Sequence, residues 1–236
     1  MSSWTTAEPP GGDTLADLLH QLGDIPPECI RRHPAPGTAT EQDVIAARKG
    51  PGKRLCELVD GVLVEKAMGT RESLLAGIIL HLLWDFVEEH DLGQPLGADG
   101  TMRLMPKLVR IPDVSFVCWE RLPNKELPDK PIADLVPDLA VEVLSKSNTR
   151  GEIQRKLRDY FLAGVRLVWI IQPRTQTADV YHAPDRKTHV GKTGSLDGED
   201  VLPGFSLSLP KLFARAHRKP SGSRGPKPRR RGDEKQ

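Results

Sequence analysis

VPDLAVEVLSKSNTRGEIQRKLRDYFLAGVRLVWIIQP, residues 136–173, decides the fold. It opens on LAVEVL, a nearly unbroken β-branched and leucine run of the kind found in a strand covered on both faces. Residues 149–163 then set Ile153, Leu157, Tyr160 and Phe161 on one helical face, and Gly164 supplies a C-cap ahead of LVWIIQP. Strand, helix and strand in this order form a crossover unit, which is almost always right-handed and makes its two strands parallel.

Antiparallel pieces flank that unit. Upstream, CELVDGVLVEKAM reads as a hairpin turning at Asp60-Gly61, a dipeptide that tolerates the positive φ of a type I′ turn. Thr70 is expected to cap a core helix whose inward face carries Leu74, Leu75, Ile78, Leu82 and Phe86. A break at 93–100 precedes strands at 101–104, 107–111 and 114–118. Downstream, TADVYHA is expected as an edge strand, and PGFSLSLPKLF as a short strand with an apolar hook. The fold class is therefore α/β, with one mixed β-sheet flanked by helices.

Prolines punctuate residues 1–50, which read as a Pro-rich N-terminal arm holding one amphipathic segment, Thr14 to Leu22, and a short helix capped by Thr40. A domain over 51–214 follows, and then a basic tail at 215–236. That tail carries nine Lys or Arg against Asp233 and Glu234, a local +7 that leaves the rest at −5 of the net +2. It reads as a solvated, disordered end, and its charge would also suit phosphate backbones. No apolar run is long enough for a membrane span, and MSSWTTAEPPGG lacks signal-peptide character, so a cytoplasmic protein is expected. Three widely spaced cysteines, Cys29, Cys56 and Cys118, fit neither a disulfide framework nor a zinc motif.

Two carboxylates stand where strand chemistry favours apolar residues: Asp113, after Ile111-Pro112 at a strand start, and Glu142, inside LAVEVL. A glutamate buried among Val and Leu must be protonated, paired or bound to a metal, and a metal also accounts for a second acid on a neighbouring strand. Lys156, fourteen residues on, enters the crossover helix and can project toward the strand end that bears Glu142.

With these residues in hand, IPDVSFV, VPDLAVEVLSKSNTR and KLRDYFLAGVRLVWIIQP, preceded by CELVDGVLVEKAMG, resemble the Uma2 family, a branch of the PD-(D/E)XK nuclease superfamily, over roughly residues 55–213. The resemblance implies a restriction-endonuclease-like core and a metal-dependent endonuclease acting on nucleic acid, DNA above all, as a homodimer. It assigns Asp113 and Glu142 as acidic ligands of Mg²⁺ or Mn²⁺, helped by the backbone carbonyl of Val143. Leu144 stands where the superfamily motif has its lysine, and Lys156 resembles the migrated lysine of this branch, with Tyr160 one turn later. Where the family often has a histidine at the start of the first core helix, this chain has Glu72, which with Glu57 is an accessory candidate.

A second Pro-Asp pair, Pro137-Asp138, shows that the dipeptide alone carries no information; the order of motifs does. The seven histidines form no zinc-binding cluster, no Gly-rich phosphate loop follows a strand, and Ser145 lacks a G-x-S-x-G elbow. Leu144 keeps one rival open, a nuclease-fold module that binds nucleic acid without cleaving it. Glu57 and Glu65 alternate with apolar neighbours on the hairpin and read as facing water. Ser145, Ser147 and Asn148 read as residues that cap the crossover helix or hold its loop.

Overall fold

The structure is a computed structural model that describes residues 14–66 and 68–217. In chain order the elements are α1 (Leu15–Gln21), α2 (Glu41–Lys49), β1 (Cys56–Val59), β2 (Val62–Glu65), α3 (Thr70–His90), β3 (Gly93–Leu96), β4 (Met102–Met105), β5 (Leu108–Arg110) and β6 (Val114–Cys118). There follow β7 (Ala133–Asp134), β8 (Leu139–Val143), α4 (Arg150–Ala163), β9 (Leu167–Gln172), β10 (Thr177–Ala183), β11 (Arg186–Val190), β12 (Ser195–Asp197), β13 (Ser206–Ser208) and α5 (Leu209–Ala216).

The strands form two main sheets rather than the single one expected. A six-stranded sheet runs β11-β10-β9-β8-β6-β3, a five-stranded one runs β2-β1-β5-β4-β7, and β12 pairs with β13 apart from both. Both main sheets are mixed: β8 and β9 are parallel, as the crossover demands, and so are β4 and β7. Strand β8 lies inside its sheet with both faces covered. Leu139, Val141 and Val143 join the core built on Leu75, Ile79 and Leu83 of α3, whereas Ala140 faces α4. Helix α4 packs between the sheets, its Ile153, Leu157 and Tyr160 meeting Ala140, Val168 and Ile170 on one side and Val59, Val62 and Met102 on the other. Helix α2 covers the far face of the five-stranded sheet through Val44.

Local chemistry explains the element ends. Asp60 and Gly61 turn the hairpin with φ of 51° and 76°, the paired positive values of a type I′ turn. Gly61 also has no room for a side chain, since a Cβ there would lie 2.4 Å from the Gly37 carbonyl oxygen. Thr149 caps α4 by accepting from the Glu152 N–H, and Gly164 closes it in the left-handed region. The segment read as an arm packs on the body: Leu22 and Ile25 are buried beside α4, the Thr149 hydroxyl donates to the Gly23 carbonyl, and Arg155 donates to the Gln21 carbonyl.

Four local expectations need correction. The N-cap of α3 is Gly69, and Thr70 is its first helical residue. The buried stripe of α3 is Leu75, Ala76, Ile79, Leu83 and Val87, one position on from the predicted face, and Leu74 is 48% exposed. This helix is apolar nearly all round, so periodicity alone does not choose its face. The stretch 93–100 holds strand β3, where Pro95 is tolerated because the strand is an edge. Strand β10 is not an edge, because β11, an almost wholly exposed RKTHV, pairs outside it. The expected tail lies, beyond His217, outside the described residues, and α5 continues through Ala216. Among the described residues no helix is long and apolar enough to cross a membrane.

Candidate active site

Register brings the two acids together. Strands β6 and β8 pair Val114 with Val141, so the next step along the ladder sets Asp113 across from Glu142. The Asp113 N–H donates to the Val141 carbonyl at 3.0 Å, and Asp113 Oδ2 accepts the Val143 N–H at 2.7 Å. Glu142 shares the face of Ala140 and so points at α4, where Lys156 Nζ donates to its Oε2 at 2.9 Å and the Tyr160 hydroxyl donates to its Oε1 at 2.5 Å. Lys156 and Tyr160, one turn apart, thus grip one carboxylate. Leu144 packs in the apolar cluster around α4, and the ammonium of the site comes from the helix.

Glu57 is not a water-facing strand residue. It is buried, directly across the β1–β5 ladder from Arg110, whose Nη1 lies 2.6 Å from Glu57 Oε2, while the Ile111 N–H donates to Oε1 at 3.0 Å. Arg110 also pairs with Asp159 of α4, and Asp159 accepts from Arg155, which reaches back to Asp60 in the hairpin turn. One helix therefore carries charge pairs to both sheets, with Lys156 and Tyr160 on Glu142 and Asp159 on Arg110.

Lys66, just after β2, is a site residue that the sequence reading missed. Its Nζ lies 2.8 Å from Asp113 Oδ1 and donates to the Ile111 carbonyl. A lysine at a strand end ordinarily keeps its head in water, and nothing local distinguishes this one; only the approach of Asp113 does.

Asp113, Glu142, Glu57, Lys66 and Lys156 line a cavity of about 60 Å³ together with Glu152 and the loop residues Ser145, Ser147 and Asn148. Asn148 accepts from the Ser145 N–H and donates to Glu152, and so holds the loop between β8 and α4. Ile25, Pro26 and Cys29 form another wall, so the N-terminal segment helps to shape the site. Glu72 also lines the cavity from the first turn of α3 but makes no hydrogen bond to Asp113 or Glu142. Asp138 of the second Pro-Asp pair is elsewhere, buried against Arg121 and the Cys118 N–H.

The electrostatics follow from burial and pairing. Burial pushes the Glu142 carboxyl up, opposed by Lys156 and reinforced by the neighbouring Asp113. Burial would also raise Glu57, but Lys156, Arg110 and Lys66 outweigh it and hold that group down at about 2. Lys156 is held above the usual lysine range because Glu142, Glu57 and Glu152 overcome its desolvation. Among the described residues there is no group of three or more His, Cys, Asp or Glu arranged to hold a metal ion. Two carboxylates with a nearby backbone carbonyl are nonetheless an all-oxygen donor set, the kind Mg²⁺ takes alongside retained waters. The donor chemistry fits a hard divalent cation.

Mixed sheets flanked by helices define an α/β protein, in which two acids and a lysine meet at the ends of neighbouring strands. The chain belongs to the Uma2 family, described as "Putative restriction endonuclease", whose model matches residues 45–210. In fold it is similar to the crystal structure of a putative nuclease belonging to DUF820 from Anabaena variabilis, with a TM-score of 0.62 at 19% identity over 70% of this chain and 92% of that one. No curated protein sequence matches it.

Proposed function

We propose that this chain is a metal-dependent endonuclease of the PD-(D/E)XK type that hydrolyses nucleic-acid phosphodiester bonds, DNA in particular. The observation that carries the reading is the convergence of Asp113, Glu142 and Lys156, from two neighbouring strands and the crossover helix, on one cavity. Asp113, Glu142 and the Val143 carbonyl would hold Mg²⁺ or Mn²⁺. Such an ion supplies Lewis-acid polarisation of a phosphate and a bound water of lowered pKa.

The remaining work falls to the chain. Lys156, kept charged by Glu142 and Glu57, orients the attacking water and steadies the charge that develops on the phosphate. Tyr160 fixes the rotamer of Glu142 by its hydroxyl. Glu57 and Arg110 act as positioning residues, because they fix the five-stranded sheet against α4 and maintain the field around Lys156. Glu72 is the weaker accessory candidate, since it stands in the first turn of a helix, where the dipole already favours an acid. We further propose a homodimer as the acting form, since a two-fold pair of sites suits cleavage of both strands, and the cytoplasm as its compartment.

The test is cleavage of supercoiled plasmid and single-stranded oligonucleotide with Mg²⁺ or Mn²⁺, beside Glu142→Ala and an EDTA control. Cutting by the wild type that both controls abolish is the expected result. Nucleic-acid binding without cutting, under either ion, would favour a module that has kept the scaffold and lost the chemistry.

A further inference from the structure

Lys66 is used by nothing in the mechanism above, yet it is one of the most confined charges in the molecule. Its side chain is 8% exposed, and an ammonium so buried needs a full set of partners. Asp113 Oδ1 and the Ile111 carbonyl supply them. The Val143 N–H takes the other oxygen of Asp113, and Lys156 and Tyr160 take the two oxygens of Glu142. Every oxygen of the two acids thus already has a donor, and one ammonium stands on each acid, Lys66 on Asp113 and Lys156 on Glu142.

We infer that Lys66 is a resident cation of the site, one that occupies Asp113 where a divalent ion would bind and so limits the chain to a single, weakly held ion. This rests on the metal-nuclease reading. A carboxylate oxygen keeps a second lone pair, so one ion can share the acids with the ammoniums. A second ion would bring two more positive charges within a few ångströms of Lys66 and Lys156, in surroundings where water screens poorly. Two-ion sites work by clamping both the attacking and the leaving oxygen, and Lys66 holds the Asp113 oxygen that the second ion would need.

The test is Mn²⁺ binding to the full chain, followed at pH 8 by the electron paramagnetic resonance of the free ion and by calorimetry. Lys66→Met and Lys66→Gln remove the charge by two routes, in case one of them fails to fold, and Lys66→Arg keeps it. The expected result is one Mn²⁺ per wild-type chain, binding at least tenfold tighter in either neutral variant, and wild-type affinity in Lys66→Arg. Equal or weaker binding in the neutral variants, or two ions in the wild type, would overturn the role of Lys66. If Glu142→Ala still abolished wild-type binding, the metal site itself would stand. Absence of Mn²⁺ binding in the wild type and all variants would overturn both.

Discussion

Replacing Glu57 with Gln should flatten the acid limb of the stability curve. The folded carboxyl is held at about 2 against an ordinary 4.5, because Lys156, Arg110 and Lys66 together overcome the cost of burying it. A carboxyl depressed by folding contributes stability that is fully present above its unfolded pKa and is lost as pH falls through the folded one. The separation of the two values corresponds to about 3 kcal/mol at neutral pH, of which about 2 kcal/mol is gone by pH 3. Set against the 5–15 kcal/mol or so that stabilises a typical domain, this is a large share. Glu142 works the other way: burial raises it, so protonation on acidification favours the folded state, less so in Glu57→Gln, where the repulsion from Glu57 is gone. Urea unfolding followed by circular dichroism at pH 7, 5, 4 and 3 reads the loss of the Glu57 charge as the difference between wild type and Glu57→Gln. That gap should shrink from about 3 kcal/mol at pH 7 to about 1 kcal/mol at pH 3. A gap that stays constant across the series would refute the reasoning, because the contribution would then not come from the charge.

Arg110→Met leaves Glu57 and Asp159 buried without their shared cation and should cost about 3–5 kcal/mol in urea unfolding. Tyr160→Phe removes the hydroxyl on Glu142 and should cost about 1–3 kcal/mol by the same measurement, with a fall in any cleavage rate. Lys156→Met should lower cleavage by about 10²-fold or more at unchanged nucleic-acid affinity, read by single-turnover cleavage and fluorescence anisotropy. Gly61→Val forces a branched residue into φ of 76° against the Gly37 backbone and should lower the melting temperature, at a cost of about 1–3 kcal/mol.

What was legible in the sequence follows the range of the interactions. The crossover of β8, α4 and β9 is local, written in a β-branched run, a helical face and Gly164, and the structure has it in that form. The hairpin at Asp60-Gly61 is local too. Asp113 and Glu142 could be singled out because a carboxylate costs free energy wherever a strand is apolar on both faces. Glu57 and Lys66 sit in alternating or terminal strand positions, where a charge costs nothing until distant partners bury it. Those partners are Arg110 on the adjacent strand β5 and Asp113 just before β6 in the other sheet, 53 and 47 residues further along the chain. Strand β11 escaped because an exposed edge needs no apolar pattern, and the face of α3 because its apolar residues nearly encircle it. The division into two sheets depends on α4 packing between them, which no single segment records.

The most direct test of the central claim is the Mg²⁺-dependent cleavage rate of DNA by wild type and by Asp113→Asn, each shown to be folded by its thermal melt. Asn keeps the size and one acceptor oxygen of Asp113 but loses its charge. The account predicts metal-dependent cleavage by the wild type and its loss in the variant. Equal cleavage by the two proteins would place the chemistry outside the Asp113–Glu142 site and contradict the account.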